Sequence, residues 1–294
     1  MSSNAHGDSD LDTTPAWHAP AGAVDAHFHV FGPYDRYPLG AGLRWPVPDA
    51  PLDAFLALAS HLGMERFVFV QPSGYGQDNG AMLDAMQRVG VDRCRGIVDI
   101  PEEIADAELD RLHALGVRGV RINVSPTAPY ESGLAERLAP RVERLDARLA
   151  ERGWHLDYLA PSWLVREWMP LMRRLRAPYT IAHFAMFRAA DSAGQPGFPE
   201  LLDLLRNGDG RLWVKLSGAY RISSAPGFED AAPLARALIE ARPDRLIWGT
   251  DYPHLSFPDV SSVELFNLLG AWAPDEATRQ QILVTNPEEL FGFQ

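Results

Sequence analysis

The sequence predicts an α/β fold, a single-domain (β/α)8 TIM barrel. Eight apolar, strand-like runs alternate with amphipathic helical stretches over about 270 residues, which favours a closed barrel over an open sheet. Runs such as Phe67-Val68-Phe69-Val70 are apolar on both faces, as expected for strands that are buried in a parallel sheet. No GxGxxG or phosphate-loop pattern follows any of these runs, so the sequence disfavours a nucleotide-binding sheet.

The predicted elements alternate regularly along the chain. Strands are expected where β-branched and aromatic residues cluster, at 24–30, 66–71, 95–100, 118–124, 154–159, 179–183, 212–217 and 245–250. Helices are expected where apolar residues recur at helical spacing, at 52–62, 81–89, 103–115, 134–152, 162–176, 200–207, 230–242, 260–272 and 275–284. Several of these helices end in a glycine before the next strand, as at Gly63, Gly116 and Gly153.

Two irregular segments lie outside this alternation. Residues 1–22 contain no Lys, no Arg and no long apolar stretch, so we expect a flexible N-terminal tail rather than a secretory signal. The barrel then spans residues 23–294. Residues 31–51 follow the first strand and are rich in Gly, Pro and aromatic residues, including Tyr34, Tyr37 and Trp45. We expect them to form either a wall or lid of the site or a packed structural loop.

Composition narrows the class of protein. The formal net charge of −12 argues against a nucleic-acid or anionic-membrane partner, and no run of about 18 apolar residues predicts a membrane span. A single cysteine, Cys94, excludes an internal disulfide and favours a reducing compartment, so we expect a cytoplasmic protein. The apolar C-terminal helices pack either on the barrel or on another subunit, which leaves a homo-oligomer open.

Polar side chains concentrate where the predicted strands end. His27 and His29 alternate on the first strand, and Asp251 closes the last, at the barrel face that carries active sites. Further polar residues at these ends are Gln71, Ser73, Asp99, Arg121, Asn123, Tyr158, His183, Lys215, Ser217 and His254. His27, His29, His183 and Asp251 match the ligands of one divalent metal, Zn or Mn. Alternatively, the site is metal-independent and Asp251 is a base towards water.

The single lysine, Lys215, is expected inside the barrel, where its charge requires a carboxylate partner. The sequence suggests Asp99 or Asp25 for that partner. A structural ion pair is therefore the expected role of Lys215.

An ordered series of motifs carries a family resemblance. The segments are VDAHFHVFGPYDRYPL at 24–39, HLGMERFVFVQPSGYGQDN at 61–79, GVRGVRINV at 116–124, GWHLDY at 153–158, IAHF at 181–184, WVKLSGAYRIS at 213–223, LIWGTDYPH at 246–254 and NPEELFGF at 286–293. The chain resembles the amidohydrolase superfamily (amidohydrolase family 2). Within it, the chain is similar to the branch of 2-pyrone-4,6-dicarboxylate, sugar-acid and sulfomuconolactone lactonases.

The resemblance implies a hydrolase that opens a lactone ring in aromatic or sugar acid catabolism. Asp251 would be the general base towards water. His27, His29 and His183 would polarise the lactone carbonyl, directly or through a metal. The residues implied to bind a small carboxylate or lactone substrate are Arg121, Arg221, Ser73, Trp45 and Tyr158.

Departures from the family pattern shape these expectations. Thr127 stands where the pyrone dicarboxylate enzyme has a second arginine, which favours a monocarboxylate or sugar lactone as substrate. Asn123 and Tyr158, where metal-bridging or metal-binding residues would stand, disfavour a binuclear centre. Two alternative functions stay open. One is a metal-dependent decarboxylase of an unsaturated or aromatic acid, whose relatives have a histidine at the end of the fifth strand, and the other is a noncatalytic barrel that binds a small acid.

Overall fold

The computed structural model describes residues 10–40 and 47–293. Within these ranges the chain has eight parallel strands, each paired with the next in sequence order. They are β1 (Val24–Phe28), β2 (Arg66–Val70), β3 (Cys94–Val98), β4 (Val117–Asn123), β5 (His155–Leu159), β6 (Tyr179–Ile181), β7 (Leu212–Lys215) and β8 (Leu246–Ile247).

The ring is completed where the last strand meets the first. Ala26 N donates to Trp248 O at 2.9 Å, Asp251 N to His27 O at 2.8 Å, and His29 N to Tyr252 O at 2.9 Å. The predicted (β/α)8 barrel is therefore confirmed. These three bonds also bring the strand with the paired histidines beside the segment that carries Asp251.

Helices cover the outside of the barrel. In the described ranges they are α1 (Leu52–Leu62), α2 (Gly80–Val89), α3 (Asp106–Ala114), α4 (Leu134–Ala150), α5 (Ser162–Met172), α6 (Phe198–Asn207), α7 (Ala219–Ile222), α8 (Ala232–Ala241), α9 (Ser262–Trp272), α10 (Glu276–Gln280) and α11 (Asn286–Phe291). Among these helices, none combines the length and the apolarity that crossing a bilayer requires.

Two buried clusters form the core. The larger lies between the strands and the helices, and in it Phe28 stacks on Phe55 with ring centroids 3.5 Å apart. The smaller joins strand residues such as Val68 and Ile97 to Phe291 and Phe293 near the C-terminus. The C-terminal helices thus pack on their own barrel, which is one of the two arrangements expected from their apolar character.

Residues 10–22 belong to the predicted flexible tail, and two of them contact α9. Trp17 stacks on Phe266 of α9 at a centroid distance of 3.9 Å, and Asp10 accepts a hydrogen bond from Ser262 N at 2.9 Å. An aromatic ring and a carboxylate at a helix N-terminus give this segment partners that its overall composition does not reveal.

The described parts of the long first loop are packed against the barrel. Phe31 and Ala50 form a bridge, and the Tyr34 hydroxyl donates to Pro48 O at 2.7 Å. The Tyr37 hydroxyl binds Asp84 on α2. These contacts correspond to the structural alternative for this loop, whereas Trp45 lies outside the described residues.

A buried carboxylate holds the seam between β1 and β8. Asp25 Oδ1 accepts from His27 N and Thr250 N, both at 3.1 Å, and Oδ2 accepts from the Thr250 hydroxyl at 2.7 Å. Burial raises the pKa of Asp25 to about 7, although these hydrogen bonds lower it.

We predict that Asp25→Ala destabilises the fold, because two buried backbone N–H groups lose their acceptor. The free energy of unfolding should fall by roughly 3 kcal/mol in urea denaturation. Asp25→Asn keeps an acceptor oxygen and should lose less than about half of that. The exposed Asp259→Ala is the matched control. An Asp25→Ala protein as stable as the control would contradict the role of this carboxylate.

A second prediction concerns pH. His155 is buried at the start of β5, where its Nδ1 contacts Arg118 O at 2.7 Å, and burial lowers its pKa to about 4. The unfolded chain binds this proton near pH 6.5 and the folded chain does not, so stability present above pH 6.5 is lost as the pH falls towards 4.

The variant His155→Gln should therefore show a shallower loss of stability between pH 6.5 and 4, by up to about 1.4 kcal/mol per pH unit. Urea denaturation at several pH values measures the slope. The exposed His18→Gln should keep the wild-type slope. Equal slopes in His155→Gln and the wild type would show that His155 does not stay neutral in the fold.

Candidate active site

Three imidazoles surround one carboxylate at the C-terminal mouth of the barrel. Asp251 Oδ1 lies 3.5 Å from both His27 Nε2 and His29 Nε2, and Asp251 Oδ2 lies 3.7 Å from His183 Nε2. All four residues are buried, and His29 is the most exposed of them at 5 %. The structure therefore brings together the four residues that the sequence singled out from three distant segments.

Unusual backbone conformations place two of these residues. His183 has φ of 55° and Asp251 has φ of 60°, in the left-handed region that residues with a side chain rarely adopt. Such strain concentrates at functional sites. Gly249 allows the close approach of the two strands, because a Cβ there would lie 2.4 Å from His27 N.

The two oxygens of Asp251 have different surroundings. Oδ2 accepts from the Tyr220 hydroxyl at 2.5 Å and from Arg221 Nε at 2.7 Å. Oδ1 is buried and has no hydrogen-bond partner among the described residues. Burial alone would raise the pKa of Asp251, but Arg221 and the imidazoles hold it well below the usual value. Asp251 is thus an ionised carboxylate with one oxygen fixed and the other free to accept.

Each imidazole is oriented through its Nδ1 atom. His29 Nδ1 donates to Val70 O at 2.8 Å, so its Nε2 carries a lone pair. His183 Nδ1 lies 2.9 Å from the Ser217 hydroxyl. Burial lowers the pKa of all three imidazoles, that of His183 to about 3, and they are therefore neutral near pH 7.

The third imidazole, His27, contacts the single lysine of the chain. Lys215 Nζ lies 3.1 Å from His27 Nδ1 and 2.6 Å from Asp157 Oδ1, and the Thr180 hydroxyl also donates to Asp157. The expectation that Lys215 pairs with Asp99 or Asp25 is therefore wrong. Asp25 is engaged at the β1–β8 seam, and Asp99 interacts with Arg141 at 3.4 Å.

The two predicted substrate-binding arginines differ in their availability. Arg121 is buried, its Nη1 donates to Gln71 O, and its Nε has no hydrogen-bond partner among the described residues. Arg221 is paired with Asp251 and lies beside the rings of Tyr220 and Phe257. Arg221 thus forms an ion pair with Asp251, the residue expected to be the general base. The sequence did not predict this contact.

Other predicted contact residues lie apart from the cluster. Ser73 is exposed at the start of the 3-10 turn that follows β2. Tyr158 packs on Trp168 of α5 with ring centroids 5.3 Å apart, and its contact with substrate stays a prediction. Neighbouring residues on a strand face opposite sides, and Asp157 takes the inward position.

This arrangement belongs to a known family. A family model described as amidohydrolase matches residues 24–293. The chain belongs to the amidohydrolase family. This confirms the family resemblance found in the sequence.

Relatives of this amidohydrolase are similar over most of their length. The 4-sulfomuconolactone hydrolase of Hydrogenophaga intermedia is 37% identical over 278 residues, covering 93% of this chain and 89% of that protein. The 2-pyrone-4,6-dicarboxylate hydrolase of Comamonas testosteroni is 32% identical, covering 94% and 92%. The solved structure of a candidate 2-pyrone-4,6-dicarboxylic acid hydrolase from Pseudomonas putida superposes with a TM-score of 0.81, at 32% identity over 94% of this chain and 99% of that one.

Spacing in the amidohydrolase site suits a metal ion, but the hydrogen bonding does not. Ligand atoms of His27, His183 and Asp251 all lie within 4.8 Å of one another. However, the nitrogen of His27 that faces the cluster is Nε2, and its Nδ1 faces the Lys215 ammonium. An ammonium group only donates, so Nδ1 accepts and the ring proton is on Nε2, where a metal ligand needs a lone pair. The residues present therefore do not fit a bound ion.

Sequence reasoning missed two members of the amidohydrolase site, Tyr220 and Asp157. Tyr220 lies on the single-turn helix α7 beside Arg221, and its hydroxyl binds the general-base candidate directly. Asp157 is the acidic residue of the buried strand HLDYL, and it was the available signal for the partner of Lys215.

Proposed function

We propose that this amidohydrolase hydrolyses the ester bond of an anionic lactone, with Asp251 as the general base towards water. One observation carries the proposal: Asp251 Oδ1 lacks a hydrogen-bond partner among the described residues and lies 3.5 Å from two imidazoles, while its other oxygen is fixed. The names of the relatives, which are hydrolases of sulfomuconolactone and pyrone dicarboxylate, support the same reaction class.

The tautomers divide the work between two histidines. His29 Nε2 and Asp251 Oδ1 are both hydrogen-bond acceptors. One water molecule can therefore donate a hydrogen bond to each of them, which holds the water in place for attack. His27 Nε2 carries a proton and donates to the lactone carbonyl oxygen, whose negative charge grows in the transition state. The sequence-based expectation that all three imidazoles polarise the carbonyl is accordingly narrowed, since His29 has no proton to donate from Nε2.

In the proposed reaction, Asp251 transfers one proton from the attacking water to the leaving ring oxygen. Asp251 takes it from water as the new C–O bond forms at the carbonyl carbon. The tetrahedral intermediate then collapses, the ring C–O bond breaks, and the protonated Asp251 returns the proton to the leaving ring oxygen. The products are a hydroxyl or enol group and a carboxylic acid in one open chain, and near pH 7 the acid releases the second proton of the water to solvent and becomes a carboxylate. No metal takes part in these steps.

An anionic substrate also strengthens the base. Arg221 holds the pKa of Asp251 down, and a base this weak accepts a proton poorly. A carboxylate or sulfonate on the lactone would attract the guanidinium of Arg221 away from Asp251 Oδ2. Arg121, whose Nε has no hydrogen-bond partner in the described part of the chain, offers a second cationic contact. Because Thr127 is exposed beyond β4 and replaces a second arginine, we propose one anionic group on the substrate rather than two.

Neither alternative function has support of this kind. A decarboxylase of this superfamily would have a histidine at the end of the fifth strand. In this chain Tyr158 lies there, and its ring packs on Trp168 of α5. A noncatalytic binding barrel does not explain a buried carboxylate oxygen without a partner among the described residues. We also propose that the enzyme is cytoplasmic, because its single cysteine favours a reducing compartment.

We predict that Asp251→Asn abolishes turnover, because an amide cannot take a proton from water. The value of kcat should fall by about 10³-fold, while binding of the ring-opened product persists. Hydrolysis of carboxylated, sulfonated and sugar lactones, each assayed with and without a chelator, measures the change. The exposed Asp259→Asn should behave as the wild type. Turnover by Asp251→Asn near the wild-type rate would refute the mechanism, and loss of wild-type activity with chelator would refute its independence of metal.

The role of Arg221 gives a prediction about specificity. For an anionic lactone, Arg221→Gln should lower kcat/KM by about 100-fold, since a charge-assisted hydrogen bond is lost. For the neutral lactone of the same ring, the rate should stay constant or rise, because Asp251 becomes a stronger base. The exposed Arg236→Gln is the control. Equal losses for the two lactones would mean that Arg221 does not contact the substrate anion.

A further inference from the structure

A buried ion pair lies directly beneath the active-site imidazoles and has no part in the mechanism above. Lys215 and Asp157 are both 0 % exposed, and Lys215 Nζ lies 2.6 Å from Asp157 Oδ1. Removing two charges from water is costly, so a buried pair is weak evidence for stability alone. Its position beside His27 suggests another role.

The protonation of this pair follows from its contacts. Burial would raise the pKa of Asp157, but Lys215 and Arg121 lower it to about 2, so the carboxylate is ionised. The Thr180 hydroxyl fixes the same carboxylate. Burial lowers the pKa of Lys215, whereas the charge and hydrogen bond of Asp157 raise it. The carboxylate 2.6 Å from Nζ favours an ammonium group, which has donors but no acceptor.

The imidazoles of His27, on β1, and of His29, just after it, therefore meet opposite partners. His29 Nδ1 faces the carbonyl oxygen of Val70, which only accepts, and this places the ring proton on Nδ1. His27 Nδ1 faces Lys215 Nζ at 3.1 Å, which only donates, and this places the ring proton on Nε2. The two rings have the same residue type and are both buried, and they differ in what contacts Nδ1.

We propose that Lys215, held by Asp157, is a positioning residue that keeps the His27 proton on Nε2 and so prevents a divalent ion from binding to the His-His-Asp cluster. The consequence for catalysis, donation from His27 to the lactone carbonyl, rests on the proposed function. The location of the proton and the exclusion of the ion do not depend on it.

The location of the proton is tested by NMR on the wild-type protein labelled with 15N-histidine. The His27 signals are assigned from their loss in His27→Gln. We expect the one-bond N–H coupling of His27 on Nε2 and an unprotonated Nδ1, with the reverse pattern for His29. A His27 ring protonated on Nδ1 would overturn the proposal. The wild-type spectrum decides this point without any variant of the ion pair.

The exclusion of an ion is tested with the double variant Lys215→Met/Asp157→Asn. It removes both charges together, so that no unpaired charge is left buried, and the amide oxygen introduced at position 157 still accepts from the Thr180 hydroxyl. The probe is Co²⁺, whose visible absorption reports nitrogen and oxygen ligation in the folded protein. We expect the double variant to bind one Co²⁺ at least ten-fold more tightly than the wild type, and its His27 proton to redistribute onto Nδ1.

The matched control is Lys215→Arg, since guanidinium also donates without accepting. It should keep the proton on Nε2 and the weak Co²⁺ binding of the wild type. Equal Co²⁺ affinity in the wild type and the double variant would overturn the proposal. A wild-type protein that hydrolyses no lactone, yet gives the expected spectra, would refute the proposed function and leave this inference standing.

Discussion

The carboxylate of Asp251 is the constraint on which the site depends, because it is buried and ionised. An isolated buried charge is very unfavourable, and here the guanidinium of Arg221 and the Tyr220 hydroxyl compensate it. Compensation is unequal: one oxygen receives both strong hydrogen bonds and the other receives none from the described residues. This asymmetry leaves one oxygen of Asp251 available to a reacting water, 3.5 Å from His29 Nε2 at the mouth of the barrel.

The barrel seam makes that geometry reproducible. Asp25 binds the backbone of both β1 and the segment after β8, and Gly249 lets the two backbones approach. His27, His29 and Asp251 are therefore held near each other by the closure of the sheet between β1 and the segment after β8. Preorganisation of this kind is what electrostatic stabilisation of a transition state requires. The charges around the site also suit an anionic substrate. Although the net charge of the protein is −12, the cationic side chains of Arg121, Lys215 and Arg221 lie close to the site.

Periodicity in the sequence was sufficient for the barrel and for the four clustered residues, because strand ends in such a fold meet at one rim. Periodicity did not predict contacts made by residues outside the regular strands. It also did not predict which of two adjacent polar residues on a strand faces the barrel interior. Tyr158 was among the polar residues predicted at the strand ends, whereas Asp157 faces inward and Tyr158 packs on α5. Arg221 and Tyr220 reach Asp251 from the short helix α7, and no spacing rule relates that helix to the end of β8.

The most direct test of the account is a single turnover in H₂¹⁸O. Direct attack by water that Asp251 activates places one ¹⁸O in the new carboxylate of the product during the first turnover and none in the peptide containing Asp251. The opposite result, an unlabelled product in the first turnover with ¹⁸O in the Asp251 side chain, would show that this carboxylate attacks the lactone covalently. That outcome would contradict the central claim that Asp251 acts as a base.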